Sequence, residues 1–194
     1  MVEIIKGWDD AILLFINAHH NSFWDTAMWF ASGTISWFPL YAFIIILLIV
    51  KFKKQSWLLI LLIIPLIVMS DQLASGLIKP LLHRLRPSHE PNLDQLLHYV
   101  NQYRGGLYSF PSSHACNFFA WVTYLSVTTV KKIKWLPYLL IPVALFVSYS
   151  RIYLGVHYPS DIIGGAILGT FLGWVVSNIY AHYNSRLFFS TIKK

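Results

Sequence analysis

The stretch QSWLLILLIIPLIVMSDQLASGLI, residues 55–78, decides the fold class of this chain. From Gln55 to Ser70 it carries no charged side chain. A helix needs about 20 mostly apolar residues to cross a hydrocarbon core of roughly 30 Å, and this stretch has that length. It is therefore predicted to span a membrane. Working outward, the runs 23–50, 114–130, 135–150 and 161–181 have the same character, although the third and fourth spans are short unless they continue into flanking turns. The expectation is an all-α, integral-membrane helical bundle of five spans, with residues 1–194 forming a single domain.

The segment before the first span is different. Residues 4–20 contain Ile4, Trp8, Ile12 and Phe15, but Lys6, Asp9, Asp10, Asn17, His19 and His20 interrupt them. Each ionisable group placed in lipid costs about 2.5–3.5 kcal/mol on insertion scales, so an interfacial amphipathic helix over 1–22 is expected rather than a sixth span. Glu3 and these interruptions also argue against a cleavable signal peptide.

Composition agrees with a membrane bundle. Hydrophobic residues make up 56% and charged residues only 12%, which sets the chain apart from an ordinary soluble domain. Trp24, Trp57, Trp135 and Tyr138 stand near the ends of apolar runs, where amphipathic rings favour the headgroup zone. The net charge of +7 is dispersed between spans rather than gathered into a stripe, so no nucleic-acid partner is expected. Cys116 stands alone, which excludes an intramolecular disulfide and a cysteine-based zinc cluster. His19, His20, His83, His89, His98 and His182 show no metal-ligand spacing.

Five spans place Lys51, Lys53, Lys54, Lys131, Lys132, Lys134, Arg186, Lys193 and Lys194 on one side and Lys6, Lys79, Arg84, Arg86, Arg104 and Arg151 on the other. The positive-inside rule makes the first side cytoplasmic. The expected location is a cell (inner or plasma) membrane, with the second side facing outward. The longest polar connection, 88–108, is read as a lid-like or substrate-selecting loop with a short helix over Leu93 to Tyr103.

Three clusters at span ends carry the chemistry. Lys79 and Arg86 fall at the end of the second span, and Arg86 precedes Pro87, which biases it towards extended backbone. The pair suits non-bridging phosphate oxygens, and it equally suits side chains that snorkel to headgroups. Pro111-Ser112-Ser113-His114 opens the third span, with Ser112 or Ser113 able to cap the helix and His114 placed to protonate a departing oxygen. In Ser150-Arg151-x5-His157-x3-Asp161, a carboxylate can fix one imidazole nitrogen so that the other points into a site as nucleophile. Asp161 could also simply favour the helix dipole.

Together the clusters resemble the signature of the type 2 phosphatidic acid phosphatase superfamily, K-x6-R-P, P-S-x-H and S-R-x5-H-x3-D, in order and spacing. Ser113 stands where the commonest form of the middle motif has Gly. The resemblance implies a lipid phosphatase that needs no metal or cofactor and passes through a phosphohistidine. His157 would attack phosphorus, Asp161 orient it and His114 protonate the leaving group. Lys79, Arg86, Arg151, Ser112 and Ser113 would bind the phosphate. All should converge on one anion-sized pocket.

The expected partners are a lipid phosphate substrate and the membrane, with oligomeric state left open. Chain length favours undecaprenyl diphosphate as the substrate. Phosphatidylglycerophosphate, phosphatidate and lipid A are the alternatives within the class, and a non-catalytic lipid-phosphate carrier the alternative outside it. A soluble vanadate-dependent haloperoxidase is disfavoured by the spans. Asp71, inside the second span, needs a partner and could tune Lys79 or bond a neighbouring helix. Gly165, Gly169 and Gly173 form a small-residue stripe for close helix packing.

Overall fold

Residues 2–189 are described in a computed structural model, and among them every regular element is helical; the one β-type pairing is an isolated bridge between Leu85 and Tyr108. Helix α1 (Val2–Ala18) turns into α2 (Ser22–Ser32), whose cap is Asn21, its Oδ1 accepting from the Trp24 N–H at 3.0 Å. Gly33 ends α2 in an extended conformation, and Trp37 Nε1 donates to the Ala31 carbonyl at 2.9 Å. A tight turn over Ile35–Trp37 then leads into α3 (Phe38–Phe52), with Pro39 in its first turn. The predicted span over 23–50 is thus corrected to two helices, because the chain breaks at Gly33 and restarts where proline favours a helix start.

The chain reverses at Lys53, whose φ is +48°. Helix α4 (Ser56–Asp71) runs on through a wide, π-helical stretch, Gln72–Ile78, into α5 (Lys79–Leu82), which His83 ends with φ +49°. Three further helices follow: α6 (Ser113–Thr129), α7 (Leu136–Tyr153) and α8 (Pro159–Phe189). Ile35–Leu82, which contains the reversal, Leu136–Tyr153 and Pro159–Leu187 are long and apolar enough to cross a membrane, whereas α6 has 17 residues. Lys132 Nζ reaches Gln55 Oε1 at 3.3 Å and lies 4.5 Å from the Phe52 ring, so two of the lysine-rich turns adjoin. Lys193 and Lys194 lie outside the described residues.

Leu48, Leu59, Leu66, Tyr124, Leu125 and Leu140 from α3, α4, α6 and α7 form the buried centre. Ile46, Val50, Ile64, Val68, Ile167 and Phe171 face outward, as lipid contact requires. Helices α6 and α8 touch backbone to backbone. A Cβ on Gly165, Gly169 or Gly173 would stand 2.4, 2.1 or 2.3 Å from the carbonyl oxygens of Ser112, Cys116 and Ala120. The stripe therefore serves packing within the chain.

Helix α1 buries polar groups alongside Leu13. Trp8 and Phe15 are each 67% exposed, whereas Asp9 and Asn17 are 3% and 2% exposed against the bundle. The short helix expected over Leu93 to Tyr103 is not formed. Tight turns at Asp94–Leu96 and Val100–Gln102 take its place, and Asn101 and Gln102 have positive φ. Burial of Leu93 and Leu97 beside Leu13 and Ile152, and of Val100 beside Met28 and Tyr153, holds that irregular path.

Candidate active site

The wide π turn places Ser75 and Lys79 beside the start of α6. Lys79 Nζ donates to Ser113 Oγ at 2.9 Å, and Ser75 Oγ lies 2.6 Å from the same oxygen. Ser113, the departure from the commonest motif, thereby fixes the ammonium. Ser112 caps α6, its Oγ accepting weakly from the Ala115 N–H at 3.4 Å, and its own N–H donates to the Asp161 carbonyl at 3.0 Å. Helices α6 and α8 are therefore joined at the ends that carry the histidines.

Arg86 and Arg151 are each anchored by neighbouring groups. Arg86 Nε donates to the Tyr108 carbonyl at 3.1 Å, and a Cβ at Gly105, whose φ is +68°, would lie 1.9 Å from Arg86 Nη1. Glycine suits both that left-handed backbone and the close approach of the guanidinium. Arg151 donates through Nη1 to Ser32 Oγ and through Nη2 to the Tyr103 hydroxyl at 3.1 Å. Arg86 Nη1 and Arg151 Nε are buried donors without a hydrogen-bond partner among the described residues. Leaving such donors unsatisfied is costly, and an anion would satisfy both.

His157 Nδ1 lies 3.3 Å from Asp161 Oδ2, which also accepts from the Tyr158 N–H at 2.9 Å. This pairing leaves Nε2 free for a ligand. Burial first, then the charges of Arg86, Arg151, Lys79 and Arg84, hold the imidazole well below its usual pKa of 6.5, so it is neutral and able to attack. The Tyr103 phenol feels burial, which raises its pKa, but Arg151 and Arg86 outweigh that and lower it.

Lys79, Arg86, Ser113, His114, Arg151 and His157 line one cavity of about 590 Å³. Tyr41, Ile44 and Ile45 of α3, Ile63 and Ile67 of α4, and Phe118 and Trp121 of α6 extend its wall in apolar material. Asp71 and Asn117 lie on the same wall. Ser112 and Asp161 stand behind it, touching the groups that line it.

Ser75, Ser32 and Tyr103 were missed by the sequence reading, and so was a network behind Asp161. Arg84 Nη1 donates to Asp161 Oδ1 at 2.8 Å and Nη2 to Asp9 Oδ2 at 2.7 Å. Asp9 in turn accepts from the Ser160 N–H at 2.9 Å and from its hydroxyl, while Ser109 Oγ donates to Asp161 Oδ1 at 3.4 Å. The available signal was Asp9, a carboxylate in an apolar helix. Its cost was read as keeping α1 at the interface, but a cation met that cost instead.

Three fixed cations, two histidines and a buried carboxylate around one cavity can hold a phosphoryl group and pass it to an imidazole. The PAP2 superfamily profile matches residues 57–185, the region that contains the whole constellation. The chain belongs to the PAP2 superfamily. It is a PAP2-type membrane lipid phosphatase. A relative in Bacteroides thetaiotaomicron, named lipid A 4'-phosphatase, is 38% identical over 96% of this chain and 83% of its own. A lipid A 4'-phosphatase of Porphyromonas gingivalis is 31% identical over 95% of this chain and 78% of its own. The fold matches the crystal structure of a transmembrane PAP2-type phosphatidylglycerolphosphate phosphatase from Bacillus subtilis, with a TM-score of 0.68 at 23% identity over 92% of this chain and 87% of that one.

Proposed function

We propose that this PAP2 phosphatase removes a phosphate from a lipid A-type glycolipid by way of a phosphohistidine. The cavity carries the reading. Asp71 lies close enough to Lys79 for their charges to interact, but among the described residues its one hydrogen bond is a long one from Ser75 Oγ at 3.5 Å and it forms no ion pair within 4 Å. A carboxylate within a span is expensive unless it has a partner, and the hydroxyl and amide N–H groups of an acylated sugar supply donors that a prenyl chain lacks. The near full-length likeness to lipid A 4'-phosphatases supports the same substrate class. Undecaprenyl diphosphate, favoured by chain length alone, has less support: its relative matches only 35% of this chain.

His157 Nε2 attacks phosphorus as the bond from phosphorus to the lipid oxygen breaks, and His114 gives that oxygen its proton. Water then cleaves the nitrogen–phosphorus bond, His114 takes the water's proton, and inorganic phosphate leaves. Lys79, Arg86 and Arg151 hold the equatorial oxygens throughout, with Ser113 steadying Lys79 and Ser112 acting through the cap of α6. The 88–108 loop closes over the site as a lid, α1 lies at the membrane interface, and the positive-inside bias puts the site on the extracytoplasmic face of the cell membrane.

The test is phosphate release by purified protein from lipid A, undecaprenyl diphosphate, phosphatidylglycerophosphate and phosphatidate, with mass spectrometry of the products. The highest kcat/KM is expected for lipid A. A higher value for undecaprenyl diphosphate overturns the substrate class, and full activity in His157→Ala overturns the mechanism.

A further inference from the structure

Away from the anion cavity, the turn between α1 and α2 meets the 88–108 loop through a second group of histidine and carboxylate ligands. His20, Asp25 and His98 each offer one ligand atom, and these lie within 4.8 Å of one another. His98 Nε2 stands 3.0 Å from Asp25 Oδ2. Two ligands of one tetrahedral zinc ion, with bonds near 2.0–2.1 Å, stand about 3.3 Å apart, so this pair is already spaced for a shared ion.

The groups behind the pair are those a metal site needs to hold its ligands. The Tyr153 hydroxyl donates to Asp25 Oδ1 at 2.7 Å, leaving Oδ2 for the ion. Asn17, itself 2% exposed, fixes the backbone of His98 at both ends: its Oδ1 accepts from the His98 N–H at 2.8 Å and its Nδ2 donates to the His98 carbonyl at 3.0 Å. Only the third ligand must move. The His20 and His98 rings stack 3.7 Å apart at 6°, so their in-plane lone pairs run parallel and do not meet. His20 is exposed and makes no hydrogen bond among the described residues, so its side chain can turn and close the set.

We propose that His20, Asp25 and His98 bind one divalent transition-metal ion of the zinc class, with water in the fourth position. Two imidazoles and one carboxylate suit a borderline ion rather than calcium or magnesium. The ion is not part of the phosphoryl chemistry. It joins the α1–α2 turn to the loop five residues before Tyr103, which touches Arg151, and so stiffens the loop beside the cavity.

The experiment uses tag-free, full-length protein in detergent, stripped with chelator, incubated with zinc and desalted. Metal per protein is measured by mass spectrometry, and a cobalt(II) titration is followed by visible absorption. One equivalent of zinc is expected in the wild type, with at least a tenfold weaker affinity in His20→Ala and His98→Ala. The four-coordinate cobalt bands should vanish in both. Because His20 is exposed, His20→Ala keeps the fold even if His98→Ala does not. Equal zinc retention by wild type and His20→Ala, or no zinc in either, overturns the site.

Discussion

Replacing Arg84 with alanine is the most revealing perturbation, because one guanidinium serves two buried carboxylates. Asp161 is fully buried and the Asp9 side chain is 4% exposed, so without Arg84 both charges lose their cation. Removing one partner of a buried pair costs about 3–5 kcal/mol. Arg84 itself is 28% exposed, so water can enter the vacated space, and the lower end, about 3 kcal/mol, is expected. That corresponds to a melting temperature lower by roughly 6–12 °C for a chain of this size. The double variant Arg84→Ala with Asp9→Asn should recover part of the loss, since one uncompensated charge is gone, and a double-mutant cycle should show about 1–3 kcal/mol of coupling. Activity separates positioning from simple stability. Arg84 does not line the cavity, so Arg84→Ala should lower kcat through a misoriented His157–Asp161 pair while KM changes little. An Arg84→Ala protein with wild-type melting temperature and kcat would refute the reasoning.

The pH dependence follows from His157. Its pKa lies below 6.5 and attack needs the neutral ring, so the acid limb of kcat/KM should fall below pH 6.5. Arg86→Gln removes the strongest neighbouring charge and should move that limb to higher pH; a wild-type limb at or above 6.5 contradicts this. The sign for stability is the same: the unfolded imidazole takes a proton first, so the contribution present above pH 6.5 declines as pH falls toward the folded value. Gly169→Ala should destabilise by about 1–3 kcal/mol in thermal unfolding, because its Cβ would meet the Cys116 carbonyl at 2.1 Å. Gly7→Ala, with open space around it, should instead stabilise α1 by up to about 1 kcal/mol. Asp71→Ala should lower kcat/KM for lipid A by about 10–150-fold, the worth of a charge-assisted hydrogen bond. It should barely change turnover of a prenyl phosphate, and equal losses on both would count against a sugar-contacting role.

What could be read from the sequence was whatever is local or periodic. The uniform apolarity of 55–78 indicated a spanning helix, and the four-residue spacing of Gly165, Gly169 and Gly173 indicated close packing, though not that α6 was the partner. The motif residues were legible because their types and spacings are specific together. Contacts between distant segments were not legible. Nothing near Asp9 names Arg84, and nothing near Tyr103 names Arg151. Gly33 was passed over because the apolar character continues on both sides of it, and hydropathy does not register a change of helix direction. The loop turns at Asn101 and Gln102 escaped notice because burial of Leu97 and Val100 against other elements, rather than local propensity, holds their positive φ.

The buried acid of helix α1 also bears on how the protein is made. Asp9 leaves the ribosome before either of its partners, Arg84 and Ser160, the second of them 151 positions later. Until the chain has grown that far, the first helix has no finished seat. Its acidic side chain must wait in contact with water or headgroups while the later spans are inserted. Helix α1 is therefore made before part of its seat exists, and a chain truncated before residue 160 would keep every span up to α7 and still leave Asp9 without its Ser160 contacts.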